Sequence, residues 1–370
     1  MRAYLNKFFL LILILILSGG LVFWLLQKKE LQEKRAVHKG VEFVKNSLTD
    51  SSDLIHSYPF KALPIRHRLQ YVPECLSETM GLWLGVLELA DRPVEFDRAF
   101  EVLKKYFLLP NGTLTWRVVV EKGQVIQDPE SATIDDLRVI RALLLAAERW
   151  KRPQYQALAM TLAQSVRETA VYEDYLLRDT LSPDEKDGPL IVNVSYLDVK
   201  TMEMIAKIDP AWQPIHRRSL EILEKGTRPN GFIYDNYDVR QKRYYDHDRN
   251  MINYLLSAVY LAETGKPTRA FAEFIESQWR SYGKINGAYD PDTAQMEKKF
   301  ESVAVYALSM RLAFLSGKKE LAREIKNYLF YLAAFQRNPL WKNALCDDQC
   351  HAFDHLQALS SLAMMAGRQS

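Results

Sequence analysis

From Glu78 to the C-terminus the chain alternates between two kinds of helical segment. The first kind is apolar almost all round: residues 78–89, 137–147, 251–262, 303–315 and 351–365, with 196–206 a weaker member. A helix with almost no polar face is buried on every side. The second kind is one-sided: residues 94–107, 155–169, 214–224, 268–279 and 320–335. Within residues 94–107, Phe96, Phe100, Leu103 and Phe107 make a stripe at helical spacing between charged residues. A charged amphipathic segment, residues 29–46, precedes the series, and no β-alternating stretch of any length competes with it. Buried and half-buried helices in alternation describe two concentric layers. Pairing the opening amphipathic segment with the last buried one predicts an all-α (α/α)6 toroid of six inner and six outer helices.

The connections support that reading. Inner-to-outer links are tight, as in Asp91-Arg92-Pro93, Lys151-Arg152-Pro153, Gly265-Lys266-Pro267 and Gly317-Lys318. Outer-to-inner links are long: residues 108–131, 170–195, 225–246 and 281–300. All the long ones fall on one face of the ring, and long loops are where function concentrates. Three carry a similar fragment: Asn111-Gly112 leading to Trp116, Asn230-Gly231 leading to Phe232 and Tyr234, and Asn286-Gly287 leading to Tyr289. An Asn-Gly turn that brings an aromatic over the rim is expected to recur around the barrel.

Ahead of the toroid, residues 8–26 form a nearly continuous apolar run, flanked by Arg2 and Lys7 before it and Lys28-Lys29 after it. Its length suits one crossing of a bilayer as a helix. Phe23-Trp24-Leu25-Leu26 fills the place where a cleaved signal peptide wants small residues. The first cysteine is Cys75, far beyond the run, which excludes a lipoprotein anchor. The sequence therefore divides into an uncleaved N-terminal membrane anchor, residues 1–28, and one domain, residues 29–370. Both flanks are basic, so charge leaves the orientation open.

Composition narrows the chemistry. A net charge of +3, with no Lys/Arg cluster interleaved with aromatics, gives nucleic-acid binding no support. Three cysteines make no disulfide framework, although Cys346 and Cys350 suit a pair in an oxidising compartment. His351 and His355 follow those two closely, yet the spacing is unlike that of structural zinc sites; both are expected to line the start of a buried helix, with no metal and no cofactor.

Each inner helix opens on the loop-rich face. Its first residues there are Ser77-Glu78, Thr133 with Asp135-Asp136, Asn193 with Ser195-Tyr196, and Asp246-His247-Asp248-Arg249. There is no Ser-His-Asp pattern and no phosphate loop. Carboxylates with aromatic platforms remain, the equipment for hydrolysing a glycosidic bond: one acid protonates the leaving oxygen while a second carboxylate activates water. The acid needs a raised pKa, which a start on an apolar helix near Trp83 favours.

These residues resemble glycoside hydrolase family 8, including the endoglucanases found beside bacterial cellulose synthases. The resemblance runs from about Val72 to the C-terminus. Ser77-Glu78-Thr79-Met80-Gly81 is similar to the motif that carries the family's general acid, which implies Glu78. Ala132, Thr133, Asp136 and Trp150 are in register with the Ala-Ser/Thr-Asp-Ala/Gly-Asp…Trp signature. Where the signature has its first Asp, this chain has Ile134, with Asp135 one place later. Asn193-Val194-Ser195-Tyr196 resembles the segment whose Tyr sits near the cleavage point. Tyr245-Asp246-His247-Asp248-Arg249 is similar to the segment of the general base, implying Asp246 as base and Arg249 as the residue that orients it or the sugar. Trp116, Asp135, Asp136, Tyr196 and Arg249 are the expected substrate-binding set.

The resemblance implies a membrane-anchored, extracytoplasmic, inverting glycosidase that cuts inside a β-linked polysaccharide. Inversion requires the two carboxyls about 6.5–9.5 Å apart with a water between them. It also implies a self-made exopolysaccharide as substrate and an exopolysaccharide synthase complex as partner. The competing expectation, which Ile134 supports, is a degenerate toroid that binds glycan without cutting it.

Overall fold

The computed structural model describes residues 33–59, 74–121, 124–179, 189–298, 300–334 and 351–367. The apolar run 8–26, Cys346 and Cys350 lie outside them. Among the described residues no helix is long and apolar enough to cross a membrane.

Among the described residues, twelve α-helices alternate between two layers. The inner six are α2 (Ser77–Leu89), α4 (Thr133–Trp150), α6 (Val199–Ala206), α8 (Met251–Glu263), α10 (Val303–Leu315) and α12 (Ala352–Gly367). The outer six are α1 (33–43), α3 (Pro93–Tyr106), α5 (Pro153–Ala170), α7 (Gln213–Lys225), α9 (Arg269–Tyr282) and α11 (Lys319–Ala334). Inner helices pack side by side in chain order, and α12 returns against α2 to close the ring. The expected pairing of first and last helices holds. Gly40 of α1 lies where a β-carbon would strike Leu359 of α12, and the Phe43 ring meets His355 edge-on at 5.0 Å.

The layers differ because their sequences do. Ten residues of α10 are buried, including Tyr306 and Ser309, whereas α9 buries only Phe271, Ala272 and Ile275. Pro93 and Pro153 begin the outer helices α3 and α5, where the missing N–H costs nothing. The 196–206 segment splits: residues 194–196 form a 3-10 turn, and α6 starts only at Val199, capped by the Asp198 side chain on Thr201 N at 3.0 Å.

The long loops are not free of β-structure, as the pattern had suggested. They hold short antiparallel pairings that periodicity cannot see at this length. Glu74–Leu76 pairs with Arg117–Glu121, which pairs with Gln124–Gln127; Ile191–Asn193, Asn236–Asp238 and Arg243–Tyr245 make a second three-stranded sheet. Two Asn-Gly turns share one geometry. Asn111 and Asn230 each accept the backbone N–H two residues on, and Gly112 and Gly231 have φ of 83° and 91°. Gly231 is also required sterically, since a β-carbon there would lie 2.2 Å from Phe271 N. The first two turns each leave an aromatic half-buried, Trp116 and Tyr234, while Phe232 and Tyr289 are fully buried in the core.

Candidate active site

A cavity of about 260 Å³ opens where α2, α4 and α8 begin. Glu78, Trp116, Asp135 and Tyr196 line it, together with Ile134 and Arg138. Four of the seven expected site residues therefore meet. Ile134, standing where the signature has an acid, faces the same space.

Arg138 organises this end of the barrel. Its Nη1 donates to Asp135 Oδ1 at 2.8 Å and to Glu78 Oε2 at 3.3 Å, and its side chain is only 9% exposed. Ser77 Oγ donates to the other Asp135 oxygen at 2.8 Å. Two carboxylates thus share one guanidinium in a place mostly closed to water. Burial pushes the Glu78 carboxyl up to about 7; Arg138 opposes the rise and the Asp135 charge adds to it. Burial raises Asp135 as well, against its bonds to Arg138 and Ser77. A carboxylic acid that keeps its proton near neutrality and still reaches a cavity is equipped as a general acid.

The other three expected residues do not line this cavity. Asp136 points away and is fully buried; it accepts from Leu114 N at 3.0 Å and from Ser131 Oγ, pinning both ends of the long loop that carries Trp116. Burial pushes it up to about 7. Asp246 sits just before α8, the helix whose Ile252 and Asn253 reach the cavity. Its oxygens are engaged by Arg228, by the Tyr254 hydroxyl at 3.3 Å and by Asp235 N at 3.3 Å. Arg249, expected to orient Asp246 or the sugar, ion-pairs instead with Asp290 at 3.0 Å and with Glu297. Arg228 takes the place beside Asp246, its guanidinium 3.5 Å over the Tyr234 ring. His247 is exposed; its backbone N–H and that of Asp248 donate to the buried Asp235.

Sequence reasoning missed Arg138 and Arg228. Arg138 carried one signal, a cation three residues after Asp135 in the first turns of a mostly apolar helix. Arg228 carried none, lying in a loop outside any periodic pattern. His355 does line a buried helix start, and Cys75 is a buried free thiol. No group of three or more metal-ligating side chains occurs among the described residues.

One solved structure overlays nearly the whole ring: an α-amylase from Clostridium perfringens, 23% identical, with TM-score 0.78 over 90% of this chain and 97% of that one. A second names the fold. The endoglucanase Cel10 from Klebsiella pneumoniae, a family 8 glycosyl hydrolase, is 14% identical, with TM-score 0.65 over 88% of this chain and 99% of its own. This chain has the toroid fold of the family 8 glycoside hydrolases. By sequence it is similar to the Bacillus subtilis (strain 168) protein named "Putative lipoprotein YdaJ", at 27% identity over 78% of each chain. No family profile matches the chain.

Proposed function

We propose that this toroid is an inverting, endo-acting glycosidase, with Glu78 as general acid and Asp246 as general base. The observation that carries the reading is Glu78 itself, a carboxyl raised to about 7 on the wall of a cavity shared with Trp116 and Tyr196. Protonated Glu78 donates to the glycosidic oxygen as the bond breaks. Asp246 takes a proton from water attacking the opposite side of the sugar ring, so the anomeric centre inverts. The rings of Trp116 and Tyr196 offer sugar platforms, and Asp135 with Arg138 binds hydroxyls. The substrate we propose is a β-linked exopolysaccharide made by the host, met outside the membrane beside its synthase. The name of the Bacillus relative supports an extracytoplasmic, membrane-associated position. Here the apolar run 8–26 serves as the tether, because the first cysteine, Cys75, lies far beyond it.

A second reading has its own support. Ile134 on the cavity wall and an Asp246 engaged by Arg228 and Tyr254 favour a glycan-binding subunit that no longer cuts. Reducing-end release from a panel of polysaccharides separates the two. The panel spans β- and α-linkages, since one similar structure is of an α-amylase and another of an endoglucanase. Release by wild type, lost in Glu78→Gln and Asp246→Asn, supports the glycosidase with both roles. Release lost in Glu78→Gln but kept in Asp246→Asn moves the base elsewhere, with Asp135 next to be tested. Glycan binding without release by any version leaves the binding subunit.

A further inference from the structure

We propose that the face of the ring opposite the groove is held against the bilayer, so that the groove opens away from the membrane. The inference rests on the anchored reading above and adds an orientation to it.

The direction of α1 decides the matter. Residues 40 and 43 meet Leu359 and His355, so α1 runs antiparallel to α12. The start of α12 is on the groove face, where Asp354 accepts from Ser302 Oγ at 2.9 Å and Ala304 N at 2.7 Å, beside the start of α10. The beginning of α1 is therefore at the far face. His38 confirms the level, bonding Arg92 in the tight link between α2 and α3. No slack follows: Glu33, the first residue described in α1, ion-pairs with Lys326, and both side chains are 3% exposed.

The apolar run ends at Leu26, leaving residues 27–32 as the whole connection. Leu26 to Glu33 is seven residue steps, at most about 25 Å fully extended. The inner helix beside α1, α12, has 16 residues, about 24 Å at 1.5 Å per residue, and the strand-bearing loops on the groove face make the wall taller still. The connection is too short to climb the wall and turn the groove toward the lipid. It is long enough only to set the opposite face close to the headgroups, where Lys28 and Lys29 suit an anionic surface. The groove then stands a full barrel height beyond that face. Its substrate is a glycan strand already clear of the bilayer rather than one still embedded in it.

The test uses the full chain in vesicles that carry a nitroxide on the lipid headgroup. Cys346→Ser and Cys350→Ser remove two thiols, and Cys75 is too buried to label. Fluorophores go on Gln154→Cys, exposed at the start of α5 on the far face, or on Gln124→Cys, exposed in the groove-side hairpin. Vesicle flotation first establishes that the chain is anchored, and a chain that stays in solution overturns the anchored reading together with this one. In floated protein, several-fold stronger quenching at position 154 than at 124 is expected. Equal quenching, or the reverse order, overturns the orientation and leaves the anchor intact.

Discussion

Arg138 and Arg141 lie one turn apart on α4, and the carboxylates around them are driven in opposite directions. At the groove end, one guanidinium serves two acids, Glu78 and Asp135, and burial lifts Glu78 to about 7. One turn deeper, two guanidiniums meet two carboxylates: Arg141 pairs with Glu263 at 2.7 Å and with Asp198 at 3.3 Å, and Arg311 pairs with Glu263 as well. Burial pushes Glu263 up too, but the two cations overcome it and hold it at about 2. That deeper cluster faces a second cavity of about 420 Å³ inside the barrel. Burial raises both carboxyls, so desolvation is common to the two sites. Glu78 meets one cation, which it shares with Asp135, whereas Glu263 meets two, and that difference sends the two carboxyls in opposite directions. The groove end thereby favours a protonated carboxyl at Glu78, and the deeper end an ionised one at Glu263.

The largest effect tests the first half of that contrast. Glu78→Gln keeps the shape and removes the proton, so hydrolysis should fall by about 10²–10⁴-fold, the usual worth of a general acid, with the unfolding midpoint little changed. Steady-state rates beside a melting curve check both parts. The second half predicts the mirror image. Glu263→Gln leaves Arg311 without its anion and Arg141 with Asp198 alone, and should cost about 3–5 kcal/mol of stability, read in urea unfolding. If it melts like wild type, the deeper cluster is not structural.

A smaller effect follows from the cation count. Arg138→Met removes the charge that opposes the rise of Glu78, so the upper limb of the pH–rate profile should move upward, by roughly a unit, about 1.4 kcal/mol. A limb that stays in place would separate Arg138 from the acid. The smallest effect is on stability. Glu78 binds its proton more tightly folded than unfolded, so its contribution is full below about pH 4.5 and fades as pH rises through about 7. With the side chain 29% exposed the slope should be shallow, and Glu78→Gln should flatten it in unfolding curves taken across that window.

Much of this could be read from the residues in order. Alternating apolar and one-sided segments gave the two layers, and residues 303–315 were bounded correctly because Ser302 and Gly317 flank a run with no polar face. Glu78, Trp116, Asp135 and Tyr196 were legible as neighbours around one cavity because each lies near the start of an inner helix or in a loop on one face. Partnership was not legible. The engagement of Asp246 by Arg228 and Tyr254 joins a loop to a helix, and no spacing rule connects them. Asp136 matched the signature, yet its side chain holds Leu114 and Ser131 rather than the cavity. Sequence shows which acids are near the groove; only the fold shows how many cations each must share.

The most direct test is a titration of Glu78 itself, by infrared difference spectra of wild type minus Glu78→Gln across pH 4 to 9. A protonated carboxyl band that persists through pH 5 and disappears near 7 is the predicted result. A band already gone at the pH of an ordinary glutamate would contradict the account, because the groove would then hold no proton to give.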